Sequence, residues 1–284
     1  MGLMDGKVVM ITGATSGVGY YTALELARMG ASVTILGRNL AKCQACVQSI
    51  RQETGNPKLS YLQADLASLD QVRCLAQDFL DQHDRLDVLV NNAGAAFLTR
   101  RLSMDGFEMT LAVNYLSHFL LTHLLLPALR ASPSARVINV SSGGHFSQHL
   151  DFDDLQIARF YNPYKAYGRS KLANILFSYE LARRLSGTHI TSNALTPGMV
   201  ATEIWKKVHP LITPFLYPII RRKGQTPLQG AQTIIYLASS PEVEGITGLY
   251  YAYNHPIRSS PASYDETSAH RLWEVSLHLA GLEE

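Results

Sequence analysis

Across 284 residues the chain is 46% hydrophobic and 17% charged, with a formal net charge of +2. That balance supplies apolar side chains for one sizeable core and excludes a disordered chain. No basic stripe dominates, so nucleic acid is not an expected partner; three cysteines make a poor disulfide framework and fit a reduced, cytoplasmic compartment.

The first residues, MGLMDGKVVMITG, carry neither a signal peptide nor a membrane-spanning run, and lead almost at once into a strand. Short apolar, β-branched runs follow at Val8–Ile11, Ser32–Leu36, Leu59–Leu62, Leu86–Val90, Arg136–Val140 and Ile190–Ala194. They are continuous rather than alternating, as strands covered on both faces should be. Between them lie stretches of helical length. GYYTALELARMG ends at Gly30, and SLDQVRCLAQDFLDQH opens with Ser68 as N-cap. NLAKCQACVQSIRQE is also helix-like; it places Cys43 and Cys46 in a C-x-x-C with no second pair to complete a zinc site, so no metal is expected. Strand–helix alternation at this rhythm predicts βαβ units. The fold class is α/β: a single-domain Rossmann fold over 1–284, doubly wound, with helices on both faces of a mainly parallel sheet.

The turn after the first strand is glycine-rich. Gly13, Gly17 and Gly19 give G-x-x-x-G-x-G between strand and helix. That spacing permits a tight turn and lets backbone approach a pyrophosphate, with Thr15, Ser16 and Val18 beneath the phosphates of a dinucleotide. At the end of the second strand, SVTILGRN puts Gly37 where an NAD site usually places an acid, and Arg38 follows. A guanidinium pairs with a 2′-phosphate that a carboxylate would repel, so NADP(H) is preferred over NAD(H). Asp65 and Leu66 end the third strand, with Asp65 placed to accept from the adenine amino group. VNNAG ends the fourth. There Asn91 can brace the strand end, and Asn92, Ala93 and Gly94 border the adenine ribose. VSSGG, with Ser141 and Ser142, ends the fifth. Ligands of open α/β sheets bind outside the carboxyl ends of strands, although each segment alone is also an ordinary turn.

TGxxxGxG, NNAG, a strand-end serine and Y-x-x-x-K in this order resemble the short-chain dehydrogenase/reductase family over essentially the whole chain. YGRSKLANILFSYELARRL, NYLSHFLLTHLLLPAL and RLWEVSLHLAGL are similar to its retinol-dehydrogenase-like branch. The resemblance implies seven parallel strands, hydride transfer between NAD(P)(H) and an alcohol or carbonyl, and a working set of Asn, Ser, Tyr and Lys.

Y-x-x-x-K occurs twice, as Tyr161/Lys165 and Tyr167/Lys171. Pro163 interrupts the first, whereas the second runs into an uninterrupted helical pattern that brings positions i and i+4 together. The resemblance selects the same pair. It implies Tyr167 as general acid/base and Lys171 as the residue that holds the nicotinamide ribose; the Lys171 ammonium, together with the positive nicotinamide ring of an oxidised cofactor, would favour the phenolate. It also implies Ser142, rather than Ser141, on the substrate oxygen, and Asn114 as support for a proton-relay water. TPGMVATE resembles the family loop over the nicotinamide, with Pro197, Gly198, Val200 and Thr202 at its carboxamide end.

The span from Ser142 to Tyr167 is long for the family, so HFSQHLDFDDLQIARFYNP is expected as an excursion near the site mouth. It holds His145 and His149 without a third metal ligand. The family's retinol-active branch commonly starts with a hydrophobic anchor, which this chain lacks. The apolar, proline-broken stretch VHPLITPFLYPIIRRK, within a segment at about 203–225, reads as a substrate lid able to touch membrane. The expected substrate is a small lipophilic alcohol or carbonyl compound, retinoid-, long-chain aldehyde- or polyprenoid-like. The protein is expected to be soluble or peripherally membrane-associated, with a homodimer or homotetramer left open. A double-bond reductase of the protochlorophyllide type and a catalytically silent nucleotide-binding scaffold stay as alternatives.

Overall fold

The computed structural model describes residues 2–200 and 224–282. All six strands expected from the sequence form, within two residues of the expected limits: β1 Val8–Thr12, β2 Ser32–Gly37, β3 Leu59–Gln63, β4 Val88–Asn91, β5 Ala135–Val140 and β6 Ile190–Leu195. Two more follow, β7 Tyr250–Ala252 and β8 His255–Ile257. The sheet runs β3-β2-β1-β4-β5-β6-β7-β8. The first seven strands are parallel, as expected, and β8 adds an antiparallel edge.

Neighbouring residues of a strand point to opposite faces. In β1, Val9 and Ile11 enter one core with α1 (Gly17–Arg28), α2 (Leu40–Thr54) and α8 (Pro227–Ser239), whereas Met10 enters the other. That second core holds α3 (Leu69–Leu80), α5 (Ser117–Leu124), α7 (Pro163–Arg184) and α9 (Glu266–Ala280). Burial on both faces explains why the strand sequences are uninterrupted apolar runs.

Local chemistry sets the helix ends. The Ser68 side chain accepts from the Gln71 N–H at the start of α3, Asn39 from Lys42 at α2, and Thr226 shares a reciprocal capping box with Gln229 at α8. A short helix α4 (Met109–Leu111) passes into a π-helical turn, Ala112–Leu116, before α5; α6 (Leu126–Arg130) follows. π-turns are rare and often mark functional positions. This one is centred on Asn114.

Candidate active site

The carboxyl ends of β1, β2, β4, β5 and β6 gather the predicted residues along one edge. Gly13 leaves β1 with φ +65°, and a side-chain carbon there would lie 2.8 Å from the Ala93 Cα, so the position needs glycine twice over. Gly17, Val18 and Gly19 form the first turn of α1. Ser16 occupies the N-cap without capping through its side chain, and no acidic residue stands in that turn. The N-terminal N–H groups of α1 are therefore left to an anion. Thr15 is half-buried beside Gly37.

Packing also explains Gly37. A Cβ there would lie 2.6 Å from Thr15 Cγ2 and 2.8 Å from Cys43 Sγ, so a carboxylate at this position would force both side chains to shift. The next residue, Arg38, is exposed, and no carboxylate among the described residues pairs with it. Cys43 and Cys46 are both buried, and burial pushes the Cys46 thiol up to about 11; they pack the floor of this loop. Asp65 is half-buried, with one carboxylate oxygen accepting from the Ala67 N–H, and Leu66 is buried beside it.

The NNAG turn is held by Thr12, whose hydroxyl oxygen accepts from the N–H groups of Asn92 and Ala93, both at 2.9 Å. The Asn92 amide donates to the Thr12 carbonyl at 2.8 Å. Asn91 points into the core instead and donates to Asn139 and Thr122. Gly94 is next to the Lys171 ammonium and the Asn114 amide oxygen. Asn114 is wholly buried: its amide oxygen accepts from the Ala95 N–H at 2.7 Å, and its amide nitrogen donates to the Ala95 carbonyl and to Ser170 Oγ. The Asn114 carbonyl receives the Nδ1–H of His118, whose Nε2 meets the Thr12 hydroxyl at 3.1 Å. Burial drives the His118 pKa down to about 3, so the ring is neutral.

The two serines after β5 differ. Ser141 is buried and donates to the Lys171 carbonyl at 2.7 Å, which joins strand end to helix. Ser142 caps the short 3-10 turn Gly143–His145, its hydroxyl accepting from the Gly144 N–H, and it lies beside the Tyr167 phenol. α7 begins at Pro163, capped by Asn162, so Tyr167 and Lys171 lie one turn apart within it. Lys171 is 2% exposed, donates to the Val140 carbonyl at 3.0 Å, and stands 5.8 Å from the Tyr167 ring centre. Burial lowers its pKa to about 8. The Tyr167 phenol is raised, by burial first and against the opposing Ser142 hydrogen bond. Tyr167 therefore rests as a phenol, a proton donor.

After β6, Pro197 and Gly198 are half-buried, and Val200 is buried against α8. Thr202, and all of the lid segment except residues 224 and 225, lie outside the described residues. The excursion 145–163 packs beside the loop after β4: the Gln156 amide oxygen accepts from the Glu108 N–H, and Tyr161 donates to the Phe97 carbonyl at 2.9 Å. His149 is exposed, and among the described residues no group of three or more His, Cys, Asp or Glu could hold a metal. Nor is any described helix long and apolar enough to cross a membrane.

Sequence reading passed over Thr12, His118 and Tyr250. Tyr250 is buried on β7, with its hydroxyl toward Thr196 and Tyr167. His118 had a local signal, four residues after Asn114 on one helix face. The other two are positioned only by the sheet.

The short chain dehydrogenase family model matches residues 7–211. Human retinol dehydrogenase 14 is 44% identical, over 99% of this chain and 88% of its own length. Human polyprenol dehydrogenase is 41% identical, over 97% and 86%. The crystal structure of a short chain dehydrogenase from Escherichia coli CFT073 complexed with NADPH superposes with a TM-score of 0.71 at 25% identity, covering 88% of this chain and 97% of that one.

Proposed function

The chain belongs to the short-chain dehydrogenase family and is an oxidoreductase with its retinol-dehydrogenase-like relatives; from that premise we propose that it is an NADP(H)-dependent enzyme interconverting an alcohol and a carbonyl group on a lipophilic substrate. The observation that carries this reading is the hydroxyl pair of Tyr167 and Ser142 with the buried Lys171 one helical turn behind it. Retinol and polyprenol, in the names of the similar proteins, support the lipophilic class.

The residues present fit a phosphorylated dinucleotide. The uncapped, acid-free N-terminus of α1 suits the pyrophosphate, with Gly13, Thr15, Ser16, Gly17, Val18 and Gly19 around it. The glycine tightly packed at position 37, which puts no carboxylate there, and the exposed Arg38 suit a 2′-phosphate. Asp65, Leu66, Asn92, Ala93 and Gly94 would line the adenosine, and Pro197, Gly198, Val200 and Thr202 the nicotinamide end. When bound, NADP(H) supplies or accepts the hydride.

The chain's own residues manage the oxygen and its proton. Tyr167, protonated at neutral pH, donates to the carbonyl oxygen in reduction and recovers the proton in oxidation. Ser142 holds that same oxygen by a hydrogen bond aimed before the charge develops. Lys171, with a pKa of about 8, is mostly cationic at neutral pH and stabilises the phenolate left after donation. Asn114 is fixed at both ends of its amide and holds the π-turn beside Lys171.

The test is a panel of lipophilic aldehydes, ketones and alcohols with NADPH and NADH, read by cofactor absorbance, with the Tyr167→Phe variant as control. Tyr167-dependent turnover with NADPH is expected. Cofactor binding without turnover would favour the silent scaffold, and consumption of a conjugated double bond with the carbonyl retained would favour the other reductase class.

A further inference from the structure

His145 follows the Ser142 turn and is 0% exposed. Its Nδ1 lies 2.7 Å from the Ser142 carbonyl oxygen and its Nε2 lies 3.0 Å from the Ser260 backbone nitrogen. A carbonyl only accepts and a backbone N–H only donates, so the two contacts fix one neutral tautomer, with the proton on Nδ1. The ring also stands edge-on to Tyr250, with centres 5.2 Å apart. One imidazole thus joins the serine turn to the segment after β8.

That segment is anchored in turn. Ser263 Oγ donates to the Ser260 carbonyl at 2.7 Å, and Ser259 and Ser263 share a hydrogen bond of 2.6 Å. The Ser263 proton is already used, so Ser259 is the donor. Ser259 then accepts from the Tyr179 hydroxyl at 2.8 Å. Tyr179 belongs to α7, the helix that carries Tyr167 and Lys171. The hydrogen bonds form a chain: Ser142 carbonyl, His145, Ser260, Ser263, Ser259 and Tyr179, on the helix that carries Tyr167 beside the same serine.

We propose that His145 is a positioning residue, which sets the distance between the Ser142 and Tyr167 hydroxyls by pinning the serine's carbonyl to the 259–263 turn and, through it, to α7. The inference rests on the reading of those two hydroxyls as the groups that meet the substrate oxygen. His145 touches neither substrate nor cofactor in this account.

The experiment is a double-mutant cycle on kcat. In His145→Asn the shorter amide keeps a donor near Ser142 but no longer reaches Ser260. Losing one buried hydrogen bond should lower kcat about ten-fold, with NADPH Kd unchanged. In a Ser142→Ala background the same substitution should change kcat less than about two-fold, because no hydroxyl is left to place. A histidine that merely supports the fold gives effects that multiply, and that result overturns the proposal, as does wild-type kcat in His145→Asn. If His145→Asn does not fold, Tyr179→Phe breaks the far end of the chain of hydrogen bonds. It should lower kcat about three-fold and be masked by Ser142→Ala in the same way, and multiplication again overturns. Tyr167→Phe is measured alongside. Full activity there overturns the acid/base reading itself, whereas an inactive Tyr167→Phe with an unaffected His145→Asn overturns only the positioning role.

Discussion

Residues 161–165 and 167–171 carry the same tyrosine–lysine spacing, yet the fold treats them differently. Tyr161 lies before the N-cap Asn162, outside α7, and gives its hydroxyl proton to the Phe97 carbonyl. Lys165 sits exposed in the first helical turn, with its N–H taken by Asn162. Tyr167 and Lys171 lie inside the helix, on the face turned toward the end of β5, where Ser142 and the Val140 carbonyl meet them. The lesson is that spacing supplies only the i, i+4 neighbourhood. Chemistry comes from the strand end behind it, which removes water and supplies the Val140 carbonyl and Ser142 as neighbours.

The comparison breaks most visibly at the lysines. Lys171→Met should lower kcat on the order of 10²–10³-fold, the usual cost of removing one preorganised charge partner. Lys165→Met should leave kcat within about two-fold of the parent, since an exposed charge in water does little at a distance. The pH profile sharpens the same contrast. Lys171 is cationic below its pKa of about 8 and neutral above it. Reduction should therefore hold through neutral pH and fall as pH rises past about 8, measured as kcat/KM; a profile rising through that range would contradict the assignment.

The serines provide the next contrast. Ser142→Ala should cost about 10²-fold in kcat by removing one donor from the substrate oxygen. Ser141→Ala removes only a strand-to-helix contact, and should cost about 1 kcal/mol of stability with kcat little changed. Thermal melts and turnover measured on both variants separate the two roles.

Arg38 follows with a smaller effect. Unmodified protein should bind NADPH more tightly than NADH. Arg38→Ala should weaken NADPH about 10- to 100-fold, as a lost charge-assisted contact does, with NADH unchanged. Equal affinities for the two cofactors in the unmodified protein would remove this part of the account.

Much of this was legible in the chain because the relevant physics is local. Continuous β-branched runs announced six strands, Ser68 announced a cap, and Pro163 separated the two tyrosines. What escaped depends on contacts distant in sequence. β7 and β8 have three residues each, and their turn is built by Tyr253 and Asn254 at positive φ rather than by glycine. Gly37 read as a missing acid; that a side chain there would have to displace Thr15 and Cys43 emerges only from the packing. His145 read as a histidine in an excursion, while its partner Ser260 stands 115 positions away. The Tyr167 phenol is raised by burial, which depends on how the chain packs around it rather than on the residues next to it in sequence.

The smallest predicted effect and the largest belong to one pair of variants. Tyr161→Phe should keep kcat within about two-fold and lose about 1 kcal/mol of stability, the worth of its bond to Phe97. Tyr167→Phe should retain NADPH binding and lose turnover by at least about 10³-fold, since the only titrating proton at the substrate oxygen is gone. Measured side by side with one lipophilic aldehyde and NADPH, an inactive Tyr167→Phe beside an active Tyr161→Phe is the predicted result; the reverse pattern, or equal activity in both, would contradict the assignment of Tyr167 as the acid/base.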